Sequence, residues 1–174
     1  NADLVRANLA ESLYASKQFL EAGKYYERAA DGQKGKDKQD SIYTAVASYF
    51  ASLKGKQKLT RLGVVRARAG LRRAGRRFIK LYPKDEKIVQ VKFNIARTRY
   101  DAGQFDDAIR LFTALVYQFP TAKEGPISAH LVLDAYRNIE DYAGLIDAGK
   151  TFQKMANLGD SEFKSEVAEI VKGA

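Results

Sequence analysis

The chain contains no cysteine. Disulfide frameworks, thiolate zinc sites, iron–sulfur clusters and cysteine nucleophiles are excluded together, while the redox compartment stays open. Histidine occurs once, at position 130, so neither a second imidazole nor a thiolate exists to build a metal site with it. Proline occurs three times, at 83, 120 and 126. No Asn-Gly or Asp-Gly pair separates alternating apolar residues, which argues against hairpins of strands. No apolar run approaches the roughly 20 residues that cross a bilayer. The opening NADLVRANLAESLY is already amphipathic and lacks a basic-then-apolar signal pattern. Without an initiator Met, it reads as the start of a mature product or an excised fragment. P-loop, Gly-x-Ser-x-Gly and dinucleotide fingerprints are missing as well, so neither catalysis nor a cofactor is expected.

What is present is ordinary in amount and unusual in distribution. The 174 residues, 45% hydrophobic and 29% charged, suit one domain that buries roughly 70% of its unfolded surface. The net charge is +9, and it is local. Residues 1–53 balance, and residues 93–174 are slightly acidic. Between Lys54 and Lys92, fourteen basic groups face two acidic ones, Asp85 and Glu86, an excess of twelve. A localised block of this kind points to one face with one anionic neighbour.

Apolar residues recur at three- and four-residue steps, the helical period. Leu9, Leu13 and Tyr14 share one face, and Phe19, Ala22, Tyr26 and Ala29 the next. Phe93, Ile95, Ala96 and Tyr100 are followed by Phe105, Ala108, Ile109, Phe112, Leu115 and Val116. Polar breaks fall at Gly32–Lys38, Lys54–Lys58, Asp101–Gln104, Pro120–Gly125 and Asn157–Ser161. Helix, tight turn, helix, break is the order of an αα-hairpin array. A helix is expected over residues 40–53 and a long one over 59–82. Glu162–Val171, with Phe163, Val167 and Ile170, reads as a capping helix.

The segment YDAGQFDDAIRLF, running on to Phe119-Pro120, resembles the second half of a tetratricopeptide (TPR) repeat. Its matching positions are Ile95, Ala96, Gly103, Phe105, Ala108, Phe112 and Pro120. Leu9, Ala10, Phe19, Ala22, Tyr26 and Ala29 match at the same offsets, without the closing proline. The family's Trp position holds Lys92 and its Tyr position Arg99, beside Tyr100. The resemblance implies a right-handed α-solenoid of about four hairpins, residues 3–36, 40–83, 86–120 and 126–158, in one domain with a cap over 161–172. The Tyr-Pro and Phe-Pro closures resemble the subgroup of bacterial envelope proteins that includes the outer-membrane-assembly lipoprotein BamD and the division coordinator CpoB. That implies a periplasmic or outer-membrane-associated setting, with a cytoplasmic one still open.

Two functional readings follow. In TPR arrays the first helices line a concave groove, so the resemblance implies a partner site from Asn8, Glu11, Tyr14, Thr44, Ser48, Phe93, Asn94, Arg97, Tyr100, His130, Asp134 and Arg137. Such a mixture suits an extended peptide or a helix of a protein partner. The alternatives are plain solvent exposure, or filling by another part of the parent protein. The second reading rests on Leu59–Tyr82. Val64, Ala67, Leu71, Ala74, Gly75, Phe78 and Tyr82 form its apolar arc, and Arg61, Arg66, Arg68, Arg72, Arg73, Arg76, Arg77 and Lys80 cover the rest. No acidic residue on that helix relieves their repulsion. The face suits an acidic protein, anionic lipid or lipopolysaccharide. Nucleic acid ranks last, because no aromatic is interleaved with the arginines. The alternative is a solvated outer face. His130 reads as partly buried or groove-lining, and Asp106-Asp107 and Glu140-Asp141 as caps favoured by the helix dipole. Exposed solenoid ends would allow association between copies.

Overall fold

The computed structural model describes residues 2–55 and 58–174. Among them are nine α-helices and no strand. The order is α1 (Ala2–Ala15), α2 (Phe19–Gly32), α3 (Gly35–Lys54), α4 (Arg61–Leu81), α5 (Ile88–Asp101), α6 (Phe105–Gln118), α7 (Glu124–Asn138), α8 (Tyr142–Lys154) and α9 (Ser161–Lys172). The middle of the break expected at Lys54–Lys58 lies outside the described residues. The chain forms two compact units, residues 1–91 and 92–174.

In the first unit α2 packs on α1, α3 on α2, and α4 on both α3 and α2. The helix expected from residue 40 starts five residues earlier, at Gly35, whose φ of 55° is the left-handed conformation glycine tolerates. Asp85, in the loop after α4, holds that early start in place. Its carboxylate accepts from the Gln39 side chain and from the backbone N–H of Lys87 at 2.8 Å. The core of the unit is Ala10, Ala22, Tyr26, Ala29, Ile42, Val46, Tyr49, Ala67, Leu71, Ala74 and Phe78. Small residues dominate it, which lets the helix axes approach closely.

The second unit holds the remainder of α5 with α6 to α9, and α6–α7, α7–α8 and α8–α9 pack as neighbours. Phe93 meets Phe112 edge-on at 5.5 Å. Pro126 sits in the first turn of α7, where its missing N–H costs nothing. α9 lies close against Gly149 of α8. A β-carbon there would collide with Val171. Lys164 of α9 donates to the carbonyls of Phe152 (2.7 Å) and Met155 (2.5 Å), closing the exposed end of α8. Desolvation lowers its pKa.

One turn is built three times. Between α1 and α2, Lys17 has φ 62°. Its N–H donates to Tyr14 O, and that of Gln18 to Leu13 O. Gly103 and Gln104 repeat this between α5 and α6, and Glu140 and Asp141 between α7 and α8. These are Schellman closures with one left-handed residue, followed by Phe19, Phe105 or Tyr142 at the next helix start. A second loop is built twice. Asp85 N–H donates to Tyr82 O and Ile88 N–H to Asp85 O, and Ala122 to Phe119 and Gly125 to Ala122 repeat the pair. Glu140 is therefore the left-handed residue rather than a cap. Asp141 is the cap, accepting from Gly144 N–H at 2.9 Å. Asp107 instead pairs with Arg110 (3.3 Å) and Arg99 (3.5 Å).

The repeated turn makes opposite predictions at its three copies. Gly103→Ala should lower stability by about 1 kcal/mol, while Lys17→Gly and Glu140→Gly should each raise it by roughly 0.5–1 kcal/mol. Urea unfolding midpoints at unchanged slope read the sign directly. A stabilised Gly103→Ala protein would contradict the left-handed assignment.

Candidate functional site

Two polar clusters stand out, one in each unit. In the first, α3 lies against both α2 and α4, and its Tyr49 is 1% exposed. The ring fits between Gly23 of α2 and Gly70 of α4. A β-carbon at Gly23 would sit 2.8 Å from Tyr49 Cε1, and one at Gly70 closer still. The two glycines thus provide the space for one aromatic ring. The Tyr49 hydroxyl donates to Glu27 Oε2 at 2.5 Å, and Arg73 clamps the same carboxylate through Nε (2.9 Å) and Nη2 (2.5 Å). One turn on, Arg77 pairs with Asp31 at 2.8 Å. Because 27 pairs with 73 and 31 with 77, α2 and α4 run parallel and in register. An open pocket of about 430 Å³ lies over this cluster, with Lys24 and Arg28 completing its wall.

Burial raises the Tyr49 pKa far above the ordinary phenol range, and the bond to Glu27 and that carboxylate's charge raise it further against the opposing pull of Arg73. The phenol stays a donor, and the Glu27 carboxylate accepts three hydrogen bonds.

In the second unit, Tyr100 of α5 donates its hydroxyl to Asp134 of α7. Asp134 also accepts from Asn138 Nδ2 at 3.1 Å, and Arg97 lies over the Tyr100 ring at 5.4 Å while bonding Asp101 at 2.9 Å. Burial, the bond to Asp134 and that carboxylate's charge push the Tyr100 pKa up to about 12. The cluster places hydrogen-bond donors and acceptors beside an aromatic face.

Of the residues expected to line a groove, Arg97, Tyr100 and Asp134 come together, and exposed Arg137 follows them on α7. Asn8, Glu11 and Tyr14 are exposed on α1, with Tyr14 edge-on to Phe19 at 5.1 Å. Others are placed elsewhere. Ser48 is fully buried and donates to its own helix at Thr44 O (2.6 Å), because α3 is covered on two sides. Thr44, half-buried, donates likewise to Asp40 O at 2.8 Å. Asn94 is buried, and half-buried Phe93 faces α6 of its own hairpin. His130 turns to α9, 3.1 Å from Glu166 and edge-on to Phe163.

The cationic face is also redistributed. Arg73 and Arg77 have carboxylate partners after all, supplied by α2 rather than by α4 itself. Arg68 and Arg72 are half-buried, while Arg61, Arg66, Arg76 and Lys80 are exposed. Sequence reasoning missed the Tyr49–Glu27–Arg73 cluster. Its one legible sign was a glycine at 70 in an otherwise sound helix, which asks for a close neighbour without naming it. Among the described residues no group of three or more His, Cys, Asp or Glu could hold a metal ion.

No protein-family model and no curated protein matches the chain.

The clusters yield two predictions. Gly70→Ala should cost roughly 1–3 kcal/mol by overpacking. Tyr49→Phe should cost about 1 kcal/mol, and Glu27→Ala more than Arg73→Ala, since the arginine is 63% exposed and the carboxylate is not. Denaturant titrations of the four proteins would give the order. For Tyr100 the protonated form is favoured by folding, so its contribution is complete below the ordinary pKa near 10 and disappears as pH rises toward about 12. Asp134→Asn should move the Tyr100 midpoint down toward 10, followed by NMR of ring-labelled tyrosine. An unmoved midpoint would dissociate the shift from Asp134.

Proposed function

We propose that this chain is a non-catalytic interaction module, a TPR-type right-handed solenoid segment that binds a protein or peptide partner through its first helices. The repeated construction carries the reading. The same Schellman turn closes α1–α2, α5–α6 and α7–α8, and the last two copies lie 37 residues apart, as do the Tyr82 and Phe119 loops. A 37-residue period is a little over the standard 34 of the repeat. Repeats of this kind bury apolar faces between neighbours and leave the polar faces of the first helices for partners.

In the second unit the binding residues are Arg97, Tyr100, Asp134 and Arg137, which offer a cation, an aromatic face and hydrogen-bonding groups to an extended peptide or helix. In the first they are Asn8, Glu11 and Tyr14. The setting we favour is the bacterial cell envelope, with this chain as one section of a larger scaffold.

Photo-crosslinking side chains tested singly at Asn8 and Arg137, on first helices, and at Arg110 and Lys150, on second helices, separate the outcomes. All four positions are exposed. The first pair should yield a common protein adduct in cells and the second pair none. Combined Arg97→Ala and Asp134→Ala should reduce the Arg137 adduct about tenfold. Adducts from Arg110 or Lys150 alone, or from none of the four, would sink the reading.

A further inference from the structure

The outward side of α4 changes character along its length. Arg73 and Arg77 are engaged by α2, whereas the first turns carry two aliphatic side chains in solvent, Leu62 at 56% and Val65 at 58% exposure. The same turns bury Gly63 and Ala67 inward, so these two are surplus to the core. Arg61 and Arg66 flank them, both exposed, and Lys58 precedes the cap. Among the described residues no carboxylate lies within ion-pair distance of these three cations. The sequence from Ser41 to Lys84 contains neither Asp nor Glu. The first turn of α4 has no acidic residue to offset the positive end of its dipole. At 100° per residue Leu62, Val65 and Ala69 share a strip with Arg61 on one margin and Arg66 on the other.

We propose that this end of α4 docks peripherally on an anionic lipid bilayer. Lys58, Arg61 and Arg66 meet the lipid phosphates, and Leu62 and Val65 enter the boundary between headgroups and acyl chains. Charge complementarity selects an anionic partner. The two protruding aliphatics select among anionic partners. Nucleic acid supplies phosphates without an apolar sink, and an acidic protein would need a pocket matched to this strip, while a bilayer yields to any convex apolar group ringed by long cationic side chains. The helix is already folded against α3, so docking orders nothing new. Among the described residues no helix is long and apolar enough to cross a membrane, which keeps the contact superficial. The surface shares no residue with those assigned to a protein partner, and the two readings stand or fall separately.

The chain has no tryptophan, so Leu62→Trp introduces a single reporter. Its emission should shift to the blue on adding vesicles containing roughly one-third phosphatidylglycerol, and stay fixed with phosphatidylcholine alone. Ile127→Trp, exposed in the other unit, should not respond. In co-sedimentation, joint Leu62→Ser and Val65→Ser should weaken partitioning about tenfold at constant charge. Joint Arg61→Gln and Arg66→Gln should weaken it and flatten its dependence on salt. Circular dichroism of each variant confirms that the helices persist. Four outcomes overturn the proposal: no binding to anionic vesicles, an equal shift with neutral ones, undiminished partitioning of the double Ser variant, or displacement from vesicles by duplex DNA or polyglutamate.

Discussion

A phenol removed from water must find an acceptor, and in the first unit that requirement organises three helices. Tyr49 is the largest fully buried side chain of α3, and leaving its hydroxyl unpaired would cost about 1–3 kcal/mol. Glu27 of α2 supplies the acceptor. A partly desolvated carboxylate then needs a cation of its own, and Arg73 of α4 supplies it with a two-pronged bond. The chain of demands runs from ring to carboxylate to guanidinium, crossing from α3 to α2 to α4. Gly23 and Gly70 make room for the ring at both helix surfaces, so the axial register of α2 against α4 is fixed by space and by charge together.

That linkage also engages two of the eight basic side chains of the basic helix. The basic helix looked unsupported because its own sequence contains no acid. Two of its arginines are neutralised across the α2–α4 contact, by residues 46 positions earlier. Arg61 and Arg66 at the helix start and Arg76 and Lys80 near its end stay exposed, and the aliphatic residues Leu62 and Val65 surface at the start. Structural and surface cations on one helix are thus told apart by their neighbours rather than by their spacing.

The second unit solves similar problems with other means. Tyr100 and Asp134 join α5 to α7 as Tyr49 and Glu27 join α3 to α2, but in a half-exposed position and with Arg97 above the ring. At its far end α9 closes the unit. Gly149 permits its approach, Val167 and Phe163 fill the contact, and Lys164 satisfies the carbonyls α8 leaves open. His130, the one imidazole, is drawn toward α9 by Phe163 and Glu166. The surroundings of His130 are thus set by α9, which offers it an aromatic edge and a carboxylate.

The sequence by itself determined the all-helical class, most of the helix limits and the turns at Gly103 and after Tyr82 and Phe119, since period, glycine and proline act within a few residues of themselves. It also located the excess charge in one helix. It placed Ser48 and Asn94 on a groove although both are buried, and it could not pair Arg73 with Glu27 or Arg77 with Asp31. Helical periodicity says which residues share a face but not how many neighbours cover that face, and α3 is covered twice. Only the tertiary structure decided which polar side chains are spent inside the fold and which remain at the surface, because burial and pairing are properties of helices brought together from distant parts of the chain.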